Sequence, residues 1–512
     1  MIARKRRLRG FAAACALAAM ALSSMPAAVA QSAPGTDSRL VQTSATGADT
    51  SEVVTPVSSL DAAKKESRLR QRPDGDAAKV APSPAARKLP AVDFATAERR
   101  NRQTAMEYHQ TSDGGAVSPQ AAPPPIGDTP DPKLLQECFK ADGATSDFGR
   151  VHNRFTYCNE RHARVNFYWK VRGQKIWRGT NTFTYQIFAQ GDETSRRIRV
   201  FSRVKAGTMR YDWAFPWDQW TTGPDTRLNL MANCPDSFTM CHAAPSSVSM
   251  PFIAWDHNTK WFNWDVFGHK GAGLGRDKIT LSRFQMDFWP DWSNPAEVDA
   301  GASTPRWMRC DSANYFRRGS KKLPEACVFN EVTPRLTYRT DAGSDHRSVA
   351  FHIYTAQYHP NQTYPLLVPP GVPQPRDKRI PGRYDPGHPN APGLHRITEK
   401  LEPGQYKANR DHKDGACYGK GPYRDEYADT GLPADERPQP PAYQCDEYPF
   451  ASTLEGAGNP YWDFSVKAVP RQENGAAGIL LKGYYVDDRI LVWDSSLPNP
   501  EANNDRFFVH IS

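Results

Sequence analysis

The chain has 512 residues, is 39% hydrophobic and 24% charged, and carries a formal net charge of +9, a composition with room for more than one folded domain. Beyond the N-terminal segment no run approaches the ~18 consecutive apolar residues of a membrane-spanning helix, so a soluble mature chain is expected. No CxxC or Cys/His zinc spacing occurs, so a structural zinc site of that kind is excluded.

Residues 1–30 read as an export signal. Arg4, Lys5, Arg6, Arg7 and Arg9 precede an Ala/Leu/Met run, and Ala28-Val29-Ala30 supplies a small-x-small cleavage pattern before Gln31. The expected destination is secretion, with no transmembrane segment in the mature chain. Residues 31–130 are rich in Ala, Ser, Thr and Pro, and Phe94 and Tyr108 are their only aromatics. Such a segment buries too little apolar surface to offset the entropy of ordering, so a disordered linker or pro-segment is expected, with Asp61–Arg70 and Asp93–Tyr108 as transient helices.

The pattern changes near Asp131. HARVNFYWKV, KIWRGTNTFTYQIFAQ, RRIRVFSRVK and KITLSRFQMDFW alternate aromatic and β-branched residues with Gly, Pro, Asn and Asp at turn-like intervals. This predicts an all-β, sandwich-like domain over 131–390. Two tryptophan groups, Trp213, Trp217 and Trp220 and then Trp255, Trp261 and Trp264, fit a sheet core; the alternative is a stacking platform for sugars or bases. Gly268–Gly275 lacks the P-loop ending and reads as a turn.

With Cys15 in the signal, eight cysteines remain, an even number that argues for disulfides in an exported chain. Sequential pairing is expected: Cys138 with Cys158, Cys234 with Cys241, Cys310 with Cys327, and Cys417 with Cys445. The charge divides unevenly. Residues 131–390 carry 35 basic and 25 acidic side chains, a surplus of +10, whereas residues 391–512 carry 13 and 19, a surplus of −6. A basic β-rich domain that holds DNA or an anionic cell-wall polymer follows as a hypothesis, motivated by Arg196, Arg197, Arg199, Arg203 and Lys205.

The chemistry concentrates between Cys445 and Tyr485. Successive side chains on a strand point to opposite faces, so of Asp446 and Glu447 one is free to act as a base and the other braces the turn. Pro449 places the pair at the edge or end of a strand. Residues 465–469 read as a second strand closed by Pro470. Ala476, Leu480 and Tyr484, with Ala477 and Leu481 beside them, then make one apolar helix face. Glu473 and Asn474 stand in the first turn of that helix among small residues, where an oxygen can hold a hard divalent cation and free N–H groups favour a phosphate. Arg489–Asp494 and Asp505–Ser512 read as closing strands over the same sheet, with Arg489 and Arg506 as candidate phosphate contacts and Asp494 as a turn residue. His346 and His352 bracket a further expected strand. They, His395 and His412 sit in no ligand motif and are expected at the surface or in hydrogen bonds.

CDEYPFAST, LEGAG and VPRQENGAAG, in this order, resemble the secreted deoxyribonucleases of the NucA/NucB type, in the ββα-metal group of non-specific endonucleases. The resemblance covers the last quarter of the chain. It implies an α+β nuclease domain with a ββα-metal core over 391–512, Mg²⁺ or Mn²⁺ as cofactor, and DNA as a substrate met through its backbone and left with 5′-phosphate ends. It further implies Asp446 as general base and Asn474 as metal ligand. Glu447, Glu455 and Glu473 serve metal waters or orient the base. Two other readings fit the same residues: an exported polysaccharide-binding protein with a degenerate nuclease domain, and an exported toxin held inactive by its leader.

Overall fold

The computed structural model describes residues 126–235, 241–291, 298–299, 301–386 and 391–512. The expected signal, Cys15 and the two transient helices of the linker lie outside the described residues.

Asp131 and Pro132 start the first helix as their chemistry dictates. The Asp131 side chain accepts from the Leu134 amide at 2.9 Å, and Pro132, which has no N–H to leave unpaired, opens helix α1 (Pro132–Lys140). The aromatic and β-branched run that follows forms antiparallel sheets. The first has the order β1 (Arg150–Asn153), β2 (Thr156–Val171), β3 (Gln174–Gly191), β4 (Arg197–Val204), and then the strands Phe262–Gly268 and Cys241–Ala244. The second has the order Ala326–Phe329, Arg306–Asp311, Thr280–Pro290, Arg227–Asn233 and Val248–Pro251. Phe167, Tyr185, Val200 and Trp264 of the first sheet share one core with Leu230, Met286, Phe288 and Met308 of the second. Trp213, Trp255 and Trp264 are buried, as a sheet core requires, but Trp217 and Trp220 are 63% and 82% exposed.

The basic strand offered as a polyanion surface is already occupied. Arg197 and Arg199 pair with Asp265, Lys205 pairs with Glu160, and Arg203 bonds Gln186 and covers the Trp261 ring. Arg196 is buried and donates to the carbonyls of Gly268 and Lys278. Their charge is matched within the protein, and the strand offers no free cationic ladder.

From residue 335 the chain builds a second core. Strand β5 (Arg335–Tyr338) pairs in parallel with β8 (Phe508–Ile511), Leu336 opposite Val509. Between them come helix α2 (Arg347–Tyr358), helix α3 (Pro403–Tyr418), the antiparallel pair β6 (Tyr443–Tyr448) and β7 (Ser465–Pro470), and helix α4 (Arg471–Asp487). Leu336, Val349, Ile353, Tyr448, Val469, Tyr484 and Val509 belong to one hydrophobic cluster, so the boundary expected at 390 falls inside a core that begins near Arg335. Two further expectations are corrected. The segment bracketed by His346 and His352 is helix rather than strand, because Val349, Ala350, Ile353, Ala356 and Gln357 recur on one buried face. Residues 489–494 form no strand, and β8 joins β5 instead of the sheet of β6.

All four sequential disulfides form, and Cys417–Cys445 ties α3 to β6. A seam of ion pairs joins the two cores. Asp505 lies between Arg154 and Arg309, Asp487 pairs with Arg318, and Arg489 pairs with Asp311 at 2.7 Å. Burial opposes ionisation of Asp505, but Arg309 and Arg154 outweigh it and bring its pKa down to about 2.

Candidate active site

The register of β6 against β7 sets the site. Asp446 stands opposite Lys467 and Glu447 opposite Val466, and α4 starts directly after β7. A cleft of about 230 Å³ opens between β6, α3 and α4; Asp446, Glu447, Lys413, Asn474, Ser452 and Tyr406 line it, over a floor that includes Tyr338, Phe450 and Ala477. Both acidic side chains line this one cleft, although they are neighbours on a strand whose register is continuous.

Asp446 is 6% exposed and held from behind. Its Oδ2 lies 2.6 Å from His352 Nδ1, and His352 Nε2 lies 2.7 Å from Ser465 Oγ. A carboxylate has no proton to give, so His352 Nδ1–H donates and the imidazole tautomer is set from the Asp446 side. Oδ1 of Asp446 makes none of the described hydrogen bonds.

Glu447 sits in a different environment. Its Oε1 accepts from the Ala451 amide at 2.9 Å, while Oε2 is enclosed and has no hydrogen-bond partner. Burial pushes its pKa up to about 7; Asp446 adds to the shift, and Lys413 and the Ala451 amide oppose it. Lys413 is itself partly buried. Burial works against its charge, but Glu447 and Asp414 outweigh it and raise its pKa, with Asp414 Oδ1 at 2.9 Å.

Asn474 presents its amide to the cleft from the first turn of α4. Its Nδ2 donates to Gln444 Oε1 and to the Cys445 carbonyl, both at 3.3 Å, and its Oδ1 makes none of the described hydrogen bonds.

The remaining sequence candidates lie elsewhere. Glu473 accepts from the Ser348 amide and so caps the first turn of α2. Glu455 is buried and takes both its bonds from His395, from the backbone N at 2.8 Å and from Nδ1 at 2.7 Å. Arg489 is 1% exposed and bonds Asp311 and the Leu323 carbonyl, which leaves it unable to meet a phosphate in solvent. Arg506 packs over Phe508, outside the residues lining the cleft. Asp494 is a turn residue as expected, accepting from Ser496. Sequence reasoning missed His352 and Lys413. The helical period of α2 was the available signal for the first; Lys413 carried none.

Among the described residues no group of three or more His, Cys, Asp and Glu side chains gathers as a metal cluster. Mg²⁺ keeps most of its water and takes only one or two carboxylate or amide oxygens from a protein. The enclosed Oε2 of Glu447 and the Oδ1 of Asn474 on one cleft fit such an ion.

An oxygen-rich cleft with one lysine, at the junction of two antiparallel strands and a helix, defines a site suited to hydrolytic work on an anionic substrate. Residues 398–491 match the family described as Deoxyribonuclease NucA/NucB, so the C-terminal region contains a nuclease domain of that family. The matched span includes α3, β6, β7 and all of α4, with Asp446, Glu447 and Asn474, whereas β5, α2 and β8 lie outside it. Comparisons with curated proteins and with solved structures returned no match.

Proposed function

We propose that this protein is a secreted, divalent-cation-dependent, largely sequence-non-specific DNA endonuclease whose site is a ββα core made of β6, β7 and α4. One observation carries the reading: Asp446, Glu447, Asn474 and Lys413 line the same cleft within the matched region. The four disulfides support an oxidising, extracellular setting.

In this reading Asn474 Oδ1 and the Glu447 carboxylate hold the cation, Mg²⁺ or Mn²⁺. When bound, the cation supplies positive charge to the scissile phosphate and lowers the pKa of water. Asp446 takes the proton of the attacking water through the oxygen that His352 leaves uncommitted. His352 fixes the carboxylate's orientation, which keeps the acceptor within reach of a water above the cleft floor. Lys413 places a fixed positive charge beside the phosphate, where negative charge grows during attack. Ordinary Asp is a weak base at neutral pH. A cation held by Asn474 and Glu447 would offset this by making the attacking water more acidic.

The test is nicking of supercoiled plasmid DNA with EDTA, then with Mg²⁺ or Mn²⁺ restored, beside an Asp446→Asn variant. Cation-dependent nicking lost in the variant is expected. Folded wild-type protein that leaves the plasmid intact with either cation would refute the activity.

A further inference from the structure

We propose that the end of the β2–β3 hairpin, together with the loop 215–220, is a surface that binds an anionic lipid bilayer; this stands apart from the nuclease reading. Among the described residues, the neighbouring strands stop short of that end. On β3, β4 pairs only from Tyr185 onward and the strand Arg210–Trp213 spans Gly179 to Thr182, while on β2 the pair Val298–Asp299 reaches Phe167. Among the described residues, Tyr168 to Trp177 therefore projects beyond the paired neighbours. The tip is a two-residue turn, Arg172 and Gly173, with both φ values positive at 51° and 84°.

The projecting hairpin is two-faced. Cross-strand partners share a face, so Trp169 with Ile176 and Val171 with Gln174 lie on one side, and Tyr168 with Trp177 and Lys175 on the other. The first side is apolar and extends into the loop. Phe215 packs on Trp169 with ring centroids 5.6 Å apart, and Trp217 stacks on Phe215 at 5.1 Å. Val171, Ile176, Trp217 and Trp220 are all exposed. In sequence, Tyr168 to Arg178 holds Lys170, Arg172, Lys175 and Arg178 and no acidic residue; Arg178 lies over the Trp169 ring and 3.8 Å from Asp218. Asp218, the acid of the loop, is buried, accepts from Thr222 and faces Arg178, which leaves Lys170, Arg172 and Lys175 as the basic residues of the hairpin end.

This pairing of properties selects the occupant. Basic residues beside exposed tryptophans match an anionic headgroup layer, where indole rings settle at the interface and aliphatic side chains reach the acyl region. DNA would answer the charge but leave Val171 and Ile176 in water. A neutral polysaccharide would answer the tryptophans but gain nothing from the basic residues.

The experiment is co-sedimentation of the full-length chain with vesicles of phosphatidylcholine alone or mixed with phosphatidylglycerol. Wild type and variants carry the same N-terminal segment, so differences between them report on the hairpin. The bound fraction of wild type is expected to rise roughly tenfold with phosphatidylglycerol, and to fall roughly tenfold in Arg172→Glu/Lys175→Glu. Trp217→Ser/Trp220→Ser should also lose binding, with cleavage of DNA in solution and the urea midpoint unchanged. Equal binding of wild type and both variants overturns the proposal. So does loss of single-stranded oligonucleotide binding in the variants while vesicle binding persists, which would mark a base-stacking platform. Self-association lost in the variants, with no vesicle binding by wild type, would overturn it in favour of a contact between copies.

Discussion

His352 and Asp446, separated by 94 residues in the chain, meet at 2.6 Å with both side chains almost wholly buried. The acidic residue on the strand thus depends on a helix outside the matched span of the family. Removing the histidine leaves a buried carboxylate without its partner, a loss of about 3 kcal/mol. His352→Ala should lower the urea unfolding free energy by that amount and slow plasmid nicking by ~100-fold through lost orientation. His352→Asn, which retains an N–H donor, should recover part of both. Full activity in His352→Ala would remove the positioning role.

Asp505 gives the seam a pH dependence with a definite sign. Its folded pKa of about 2 lies below the ordinary 3.8, so the stability it contributes is fully present above pH ~4 and is lost as pH falls toward 2. Asp505→Asn should be at least about 2 kcal/mol less stable than wild type at pH 7, and the two should converge near pH 2. Thermal unfolding across that range checks it; a constant gap would count against the assignment.

Arg489 distinguishes a structural arginine from a substrate contact. Truncation to alanine leaves Asp311, which is 0% exposed, with Arg309 at 3.3 Å as its remaining described ion pair and should cost about 3 kcal/mol. At a temperature where the variant remains folded, its KM for DNA should equal that of wild type. A raised KM with unchanged stability would restore the phosphate contact.

The cleft also separates two neighbours on α4. Asn474→Ala should raise the Mn²⁺ concentration needed for half-maximal nicking by roughly tenfold or more, and weaken Mn²⁺ binding in calorimetry to match. Glu473→Gln should leave both unchanged and lower stability, because its carboxylate serves the Ser348 amide. The reverse pattern would exchange their roles.

The local features of the site were legible in the sequence because they rest on neighbours. Pro449 and Pro470 mark the ends of β6 and β7, the period of Ala476, Leu480 and Tyr484 announces α4, and close cysteine spacing anticipates four local bridges. What failed was long-range. Arg489 looks like any surface arginine until Asp311, 178 residues earlier, is seen beside it. Arg196 to Lys205 read as a cationic ladder because the partners Asp265 and Glu160 sit on other strands. The β-branched and aromatic residues of α2 pulled that segment toward strand, although its buried positions keep a helical period.

The parallel pairing of β5 with β8 bears on when the protein can act. Val509 joins the same cluster as Val349 and Ile353, which hold the helix that carries His352. That cluster cannot close until Phe508–Ile511 is in place, since long-range pairing must await both partners. The carboxylate of Asp446 stays unpositioned until then, so β8 completes a cleft to which it contributes no lining residue.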